Sequence, residues 1–291
     1  MKQLGEAFTA IPEGFPRAPS IRRPAIGGGA IERTEGMTTV ENGSGTRELA
    51  GRRALVTGGT RGIGAAVVRH LLDAGAEVLT TARSATSTPP EGAAFVEADV
   101  RTTAGVGALA AAAREALGGV DVLVHNAGGA RPHRTGLGIP DEEWQDALDL
   151  NLLASVRLDA LLAPDMRDRR SGAIVHVSTA AVVPPAPPFL HYQAAKVALE
   201  SYSRGLAAEL APSGVRVNTV SPGRTATPGG EATREHWESL DAGPGAVGTP
   251  PLGRDGRPDD IAQAVLFLVS DRSGWVTGKV LGVDGGEYPR G

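Results

Sequence analysis

The chain has 291 residues, 41% of them apolar, no cysteine and a formal net charge of −4. That length suits one large α/β domain, the lack of cysteine excludes disulfides, thiolate metal sites and a cysteine nucleophile, and the lack of a basic excess argues against nucleic acid or an anionic membrane surface as partner. No apolar run reaches the roughly 18 residues of a membrane span, and the N-terminus lacks the apolar core of a secretory signal, so a cytoplasmic protein is expected.

Residues 1–50 read as an extended or disordered arm. Gly14, Pro16, Pro19, Pro24 and Gly27 to Gly29 interrupt every helical or strand pattern, and few large apolar residues are available to bury. Arg17, Arg22 and Arg23 form a small basic cluster, offset by Glu6, Glu13, Glu32 and Glu35. Either the arm is a solvated tail or it packs on a neighbouring subunit.

Residues 51–291 read as one domain in which strand and helix patterns alternate. Strands are expected at 53–57, 77–82, 94–97, 120–125, 173–178, 215–220 and 280–283. Helices are expected at 62–74, 103–117, 141–162, 191–210 and 258–269, with Asp141 as the N-cap of the third after Pro140. Repeated βαβ units imply a doubly wound parallel sheet of Rossmann type with helices on both faces, and ligands at the carboxyl ends of the strands. The Gly/Pro-rich stretch 225–253 reads as a loop that covers the substrate.

Two motifs carry chemistry. Val56-Thr57-Gly58-Gly59-Thr60-Arg61-Gly62-Ile63-Gly64 joins the first strand to the first helix. Glycines there allow a tight turn and close approach of a pyrophosphate, and the helix start offers unpaired N–H groups to it. Tyr192 and Lys196 lie four apart on a predicted helix and so share a face. An ammonium near a phenol favours the phenolate and makes the pair a proton donor and acceptor. His125 and His176 fall on strands with no acidic residue clustered with them in the sequence, so they read as core or edge histidines and no metal site is expected. Arg131, His133, Arg134 and His191 either border the substrate or are ordinary loop residues.

The segments Thr57-Gly58-Gly59-Thr60-Arg61-Gly62-Ile63-Gly64, Asn126-Ala127-Gly128, Asn151, Ser178-Thr179, Tyr192-Gln193-Ala194-Ala195-Lys196, Ser221-Pro222-Gly223 and Val283-Asp284-Gly285-Gly286 occur in one order and spacing. In that combination the chain resembles the classical short-chain dehydrogenase/reductase family over roughly residues 50–287. The resemblance implies that Tyr192 is the general acid/base, that Lys196 lowers its pKa and binds the nicotinamide ribose, and that Asn151 holds a water of the proton relay. It implies a hydroxyl that polarises the substrate oxygen, supplied by Thr179 or Ser178. Thr179 is favoured because it has the family's spacing from the tyrosine and because neighbouring strand residues face opposite ways. Cofactor contacts are implied for Gly58, Thr60, Arg61, Gly62, Ile63 and Gly64 in the loop, and for Arg83 and Ser84 after the second strand. They are implied also for Asp99 and Val100 beside the adenine, Asn126, Ala127 and Gly128 after the fourth strand, Tyr192 and Lys196, and Pro222, Gly223, Thr225 and Thr227 at the nicotinamide end.

An acidic residue at the end of the second strand would bind both ribose hydroxyls and repel a 2′-phosphate. Here that position is Ala82, followed by Arg83, and Arg61 stands in the glycine loop. Two guanidinium groups suit a phosphate, so NADP(H) is expected over NAD(H). The expected reaction is NADPH-dependent reduction of a small-molecule ketone to a secondary alcohol, or its reverse. The alternatives are a 3-oxoacyl-carrier-protein reductase and a non-catalytic dinucleotide-binding regulator. By resemblance, the protein is expected to be a homotetramer or homodimer.

Overall fold

Near-continuous apolar runs mark strands covered on both faces. In the computed structural model of the chain, β1 (Arg53–Thr57), β2 (Glu77–Ala82), β3 (Ala94–Glu97), β4 (Val122–His125), β5 (Gly172–Val177) and β6 (Val215–Pro222) follow this rule, and β7 (Val280–Val283) closes the sheet with a half-exposed edge. The structure describes residues 20–23, 47–182, 185–240 and 249–288, without the side chains of residues 237 and 238. All pairings between these seven strands are parallel, in the order β3-β2-β1-β4-β5-β6-β7. The order reverses between β1 and β4, and the carboxyl ends of strands at such a switch point open a crevice for ligands.

The helices are α1 (Gly62–Asp73), α2 (Thr103–Leu117), α3 (Asp141–Leu148), α4 (Ala154–Arg169), α5 (Leu190–Leu210), α6 (Pro228–Ser239) and α7 (Pro258–Val269). On one sheet face Val67 and Leu71 of α1 pack with Ile261, Val265 and Leu268 of α7. On the other, Leu109 of α2, Leu158, Leu162 and Met166 of α4 and Leu210 of α5 form a second apolar layer. Each fully buried Val, Leu or Ile contributes about 1.5–3 kcal/mol.

Three expectations need correction. The helix expected at 141–162 is interrupted and longer: α3 passes through a π turn (Asp149–Leu153) into α4, which runs through Pro164 to Arg169. Pro164 removes the hydrogen bond to Ala160, but Ala160 is exposed, so its carbonyl is solvated and the helix continues. Pro140, not Asp141, occupies the N-cap position, and Asp141 is the first helical residue. Finally, 225–253 is not all loop. Thr227 accepts from the Gly230 amide through its hydroxyl at 3.0 Å and starts α6, in which the helix-forming Glu231–Ser239 outweigh Gly229 and Gly230. The part of the expected lid at 241–248 lies outside the described residues.

The described pieces of the N-terminal arm pack on the chain's own domain. Arg22 pairs antiparallel with Phe95 of β3. Leu49 is buried in the layer beneath α1, and its amide donates to the Ala74 carbonyl at 2.9 Å. The expected packing of the arm on a neighbouring subunit concerns residues that mostly lie outside the described ones.

Candidate active site

The crevice at the carboxyl ends of the strands is a cleft of about 790 Å³. It begins at the β1–α1 turn. Gly58 has φ +67°, a conformation that L side chains rarely adopt. A Cβ on Gly64 would come within 2.2 Å of the Gly58 carbonyl oxygen and 2.4 Å of Asn126 Nδ2. Asn126 Nδ2 donates to the Thr57 and Gly58 carbonyls, both at 3.0 Å. Thr57 Oγ1 accepts from the Asn126 and Ala127 amides at 3.1 and 3.0 Å. The loop is thus braced from the end of β4 and shaped so that backbone, not side chain, lines the crevice. Gly58, Thr60, Arg61, Gly62, Ile63 and Gly64 all face the cleft, as do Asn126, Ala127 and Gly128. The amino end of α1 points into this cradle with no side-chain cap, which suits an anion.

At the end of β2, Ala82 and Arg83 line the cleft, as does Arg61 of the glycine loop. Both arginines are exposed, and among the described residues neither guanidinium has a hydrogen-bond or ion-pair partner. Val100 lines the wall. Asp99 lies next to it, its carboxylate gripped by Arg101 at 2.7 Å, which holds the carboxyl below the usual range. Ser84 does not line the cleft, and its Oγ pairs with Thr86 Oγ1 at 2.8 Å. At the far end Pro222, Gly223, Thr225 and Thr227 complete the cleft. Thr225 Oγ1 donates to the Gly223 carbonyl at 3.0 Å, and Thr227 is the cap of α6.

The residues expected to do chemistry converge. Tyr192, Lys196, Asn151, Ser178 and Thr179 all line the same cleft. Asn151 sits inside the π turn and is 1% exposed. Its Oδ1 accepts from the Gly129 amide and its Nδ2 donates to the Gly129 and Ala147 carbonyls, each at 3.1 Å. The turn sets the asparagine toward the loop after β4, a use of π turns that recurs at functional sites. Lys196 is buried; its Nζ donates to the Val177 carbonyl at 2.7 Å and lies 5.9 Å from the Tyr192 ring centre. Burial pulls the Lys196 ammonium down to about 8, against the opposing charge of Glu200.

Two findings bear on the hydroxyl and on the tyrosine. Ser178 is buried and its Oγ donates to Glu200 Oε1 at 2.8 Å. Thr179, one residue on, hydrogen-bonds to the Tyr192 hydroxyl instead. Glu200, one turn beyond Lys196 on α5, was not singled out in the sequence; the i, i+4, i+8 series Tyr192, Lys196, Glu200 was the available signal. The expected lowering of the Tyr192 pKa is corrected: burial pushes the phenol up to about 12, and the Thr179 bond only partly opposes it. The Lys196 hydrogen bond goes to a carbonyl rather than to the phenol, and desolvation wins.

His125 and His176 are buried core residues, one of the two places read for them, but the expectation that no acidic residue stands with them needs correction, because Asp159 lies between them. Asp159 of α4 accepts from His125 Nε2 at 2.7 Å and from His176 Nε2 at 3.0 Å. The rings are stacked with centres 4.8 Å apart, Ser203 Oγ pairs with His176 Nδ1 at 3.1 Å, and the Tyr202 hydroxyl reaches Asp159 as well. Nearer the cleft, His133 Nε2 lies 3.9 Å from Glu143 Oε2, while Arg131 donates to Glu143 Oε1 at 2.9 Å and so neutralises that carboxylate. Arg131 and His191 border the cleft, and Arg134 turns to the Leu240 carbonyl.

Residues 58–287 match the profile of a family described as enoyl-(acyl carrier protein) reductase. The chain is 34% identical over 251 residues to a 3-oxoacyl-(acyl-carrier-protein) reductase of Haemophilus influenzae, covering 82% of this chain and 99% of the relative. It is 36% identical over 253 residues to a 3alpha-hydroxysteroid dehydrogenase of Mediterraneibacter gnavus, covering 81% and 97%. Among solved structures, a short chain dehydrogenase/reductase family protein superposes with a TM-score of 0.73 at 41% identity, over 83% of this chain and 99% of that one. L-Sorbose reductase of Gluconobacter frateurii, solved with NADPH and L-sorbose, superposes with a TM-score of 0.73 at 30% identity, over 83% and 98%.

Proposed function

The chain belongs to the short-chain dehydrogenase/reductase family, oxidoreductases that act on carbonyl and alcohol groups with a nicotinamide dinucleotide, and on that premise we propose that it is an NADPH-dependent carbonyl reductase. The observation that carries the cofactor preference is the pair Arg61 and Arg83, two unpaired guanidinium groups on the rim of the adenosine end, with Ala82 where an acid would repel a phosphate. The cradle fits a dinucleotide because Gly58 and Gly64 leave backbone in contact with it and the start of α1 is uncapped. When bound, the nicotinamide supplies the hydride; the protein supplies position and charge.

Thr179 donates a hydrogen bond to the substrate oxygen, and Tyr192 delivers the proton that turns the nascent alkoxide into an alcohol. Burial pushes the Tyr192 phenol up to about 12, so Tyr192 holds its proton at neutral pH and can give it to the substrate oxygen. Lys196, held by the Val177 carbonyl, would bind the ribose hydroxyls of the dinucleotide and, as a nearby cation, stabilise the phenolate that forms. Asn151, tied to Gly129, holds the water that returns a proton to Tyr192. Ser178 is a positioning residue whose hydroxyl is committed to Glu200. Accordingly, Thr179→Val should lower kcat by about 10²-fold, as loss of one oxyanion donor does, while Ser178→Ala should cost less than about tenfold on the same scale. Steady-state kinetics on one ketone decides between them, and the opposite ranking would assign the role to Ser178.

Arg83→Ala should weaken NADPH binding by about 10–100-fold, the worth of a charged hydrogen bond, and leave NADH binding nearly unchanged. Fluorescence titration with both cofactors is the check, and equal losses would refute the 2′-phosphate assignment. A 3-oxoacyl-(acyl-carrier-protein) reductase is the second reading, favoured by the similarity to the Haemophilus influenzae enzyme. The mouth of the cleft speaks against it. Arg131 at the cleft is paired with Glu143, which leaves less unpaired basic charge there for an acidic carrier protein to meet.

A further inference from the structure

β3 is the outer strand of the sheet, and an outer strand has unpaired backbone groups to offer. The described segment 20–23 takes them. The Arg22 amide donates to the Phe95 carbonyl and the Phe95 amide to the Arg22 carbonyl, both at 2.9 Å. Ile21 packs against the apolar layer beneath α2 and α4. The Arg22 guanidinium lies 4.5 Å from the centre of the Phe95 ring, and its Nη2 donates to the carbonyls of Ala85 and Ser87, both at 2.9 Å. Ala85 and Ser87 belong to the turn after β2 that begins with Arg83.

That turn has little else to hold it. Among the described residues its other hydrogen bonds are internal: Ser84 Oγ to Thr86 Oγ1 at 2.8 Å, the Thr86 amide to Ser84 Oγ at 3.3 Å, and the Ser87 amide to the Ser84 carbonyl at 3.0 Å. Residues 83 to 86 are exposed. We propose that Arg22, in the segment that precedes the catalytic domain, is a positioning residue for the 2′-phosphate of NADPH: by tying the Ala85 and Ser87 carbonyls to the sheet edge, it holds the turn that carries Arg83. The inference rests on the NADPH reading above. A turn already fixed in its binding geometry need not be ordered when the phosphate arrives, so affinity rises without any contact from Arg22 itself. The arm thereby becomes part of the cofactor site rather than an appendage.

The test uses the full-length chain and two small probes, adenosine 2′,5′-bisphosphate and adenosine 5′-monophosphate, titrated by calorimetry. Arg22→Ala is expected to weaken the bisphosphate by about two- to tenfold, the cost of ordering one flexible element, and to leave the monophosphate unchanged. It should raise KM for NADPH while kcat at saturating cofactor stays the same. Because both bonds come from a single nitrogen, Arg22→Lys should restore most of the loss. Equal weakening of both probes, or a fall in kcat, would mean a general structural role and overturn the proposal. Unchanged bisphosphate binding in Arg22→Ala beside a clear loss in Arg83→Ala would overturn it and leave the NADPH reading standing. No loss in either variant would remove both.

Discussion

Tyr192→Phe is expected to bind NADPH as the unaltered protein does and to lose about 10³-fold in kcat, within the range that general acid catalysis contributes. Removing one oxygen takes the proton source away from a group that the fold otherwise supports on every side. The ring still packs in the first turns of α5, and Lys196 keeps its bond to Val177. The cofactor cradle, built by β1, α1 and the end of β4, does not touch the lost hydroxyl. The effect must therefore fall on kcat and leave the cofactor KM nearly intact. Fluorescence titration and single-turnover kinetics on the same preparation separate the two. A variant that kept full kcat would remove Tyr192 from the mechanism.

Asp159→Ala is expected to cost about 3–5 kcal/mol of stability, because it leaves several buried donors without an acceptor at about 1–3 kcal/mol each. Burial would by itself raise the Asp159 carboxyl, but the His125 and His176 rings on its two oxygens hold it below the usual carboxylate range. Burial lowers His176 in turn, so the ring stays neutral, donates from Nε2 to Asp159 and accepts from Ser203 at Nδ1. Truncation leaves two imidazole N–H groups without an acceptor in a place water does not reach, and takes the acceptor from the partly buried Tyr202 hydroxyl. Urea unfolding at fixed protein concentration measures the loss. A change below about 1 kcal/mol would mean that the groups find other partners. The network ties α4 and α5 to β4 and β5, and α5 is the helix that also carries Tyr192 and Lys196.

The parts of this protein that were legible in its sequence are those set by local pattern. Short apolar runs such as Ala54-Leu55-Val56 and Ala173-Ile174-Val175, bounded by turn residues, read as strands covered on both faces, and the βα alternation then points to a parallel sheet. The glycine loop and the Tyr192–Lys196 spacing are local too, and the cleft gathers them as expected. What was not legible depends on partners distant in the chain. Asp159 meets histidines 34 and 17 residues away, across two strands. Its place between Ser155 and Leu162 on the buried stripe of α4 was the one local sign that it needed a partner. The π turn at Asn151 leaves no mark in composition, because it reflects tertiary contacts at Gly129. Gly229 and Gly230 hid α6, and Pro164 hid the second half of α4, since each residue's intrinsic cost was outweighed by context. Arg22 read as one charge in a polar arm until the outer strand gave it Phe95 and two carbonyls.

The central claim is that the cleft reduces a carbonyl with NADPH. It is tested most directly by following cofactor oxidation by the purified full-length protein over a panel of ketones and diketones, with NADPH and NADH in parallel and Tyr192→Phe as control. Turnover with NADPH, slower with NADH and abolished in Tyr192→Phe, is the predicted result. NADPH binding with no turnover on any carbonyl, equal in both proteins, would contradict it and mark the chain as a dinucleotide-binding regulator.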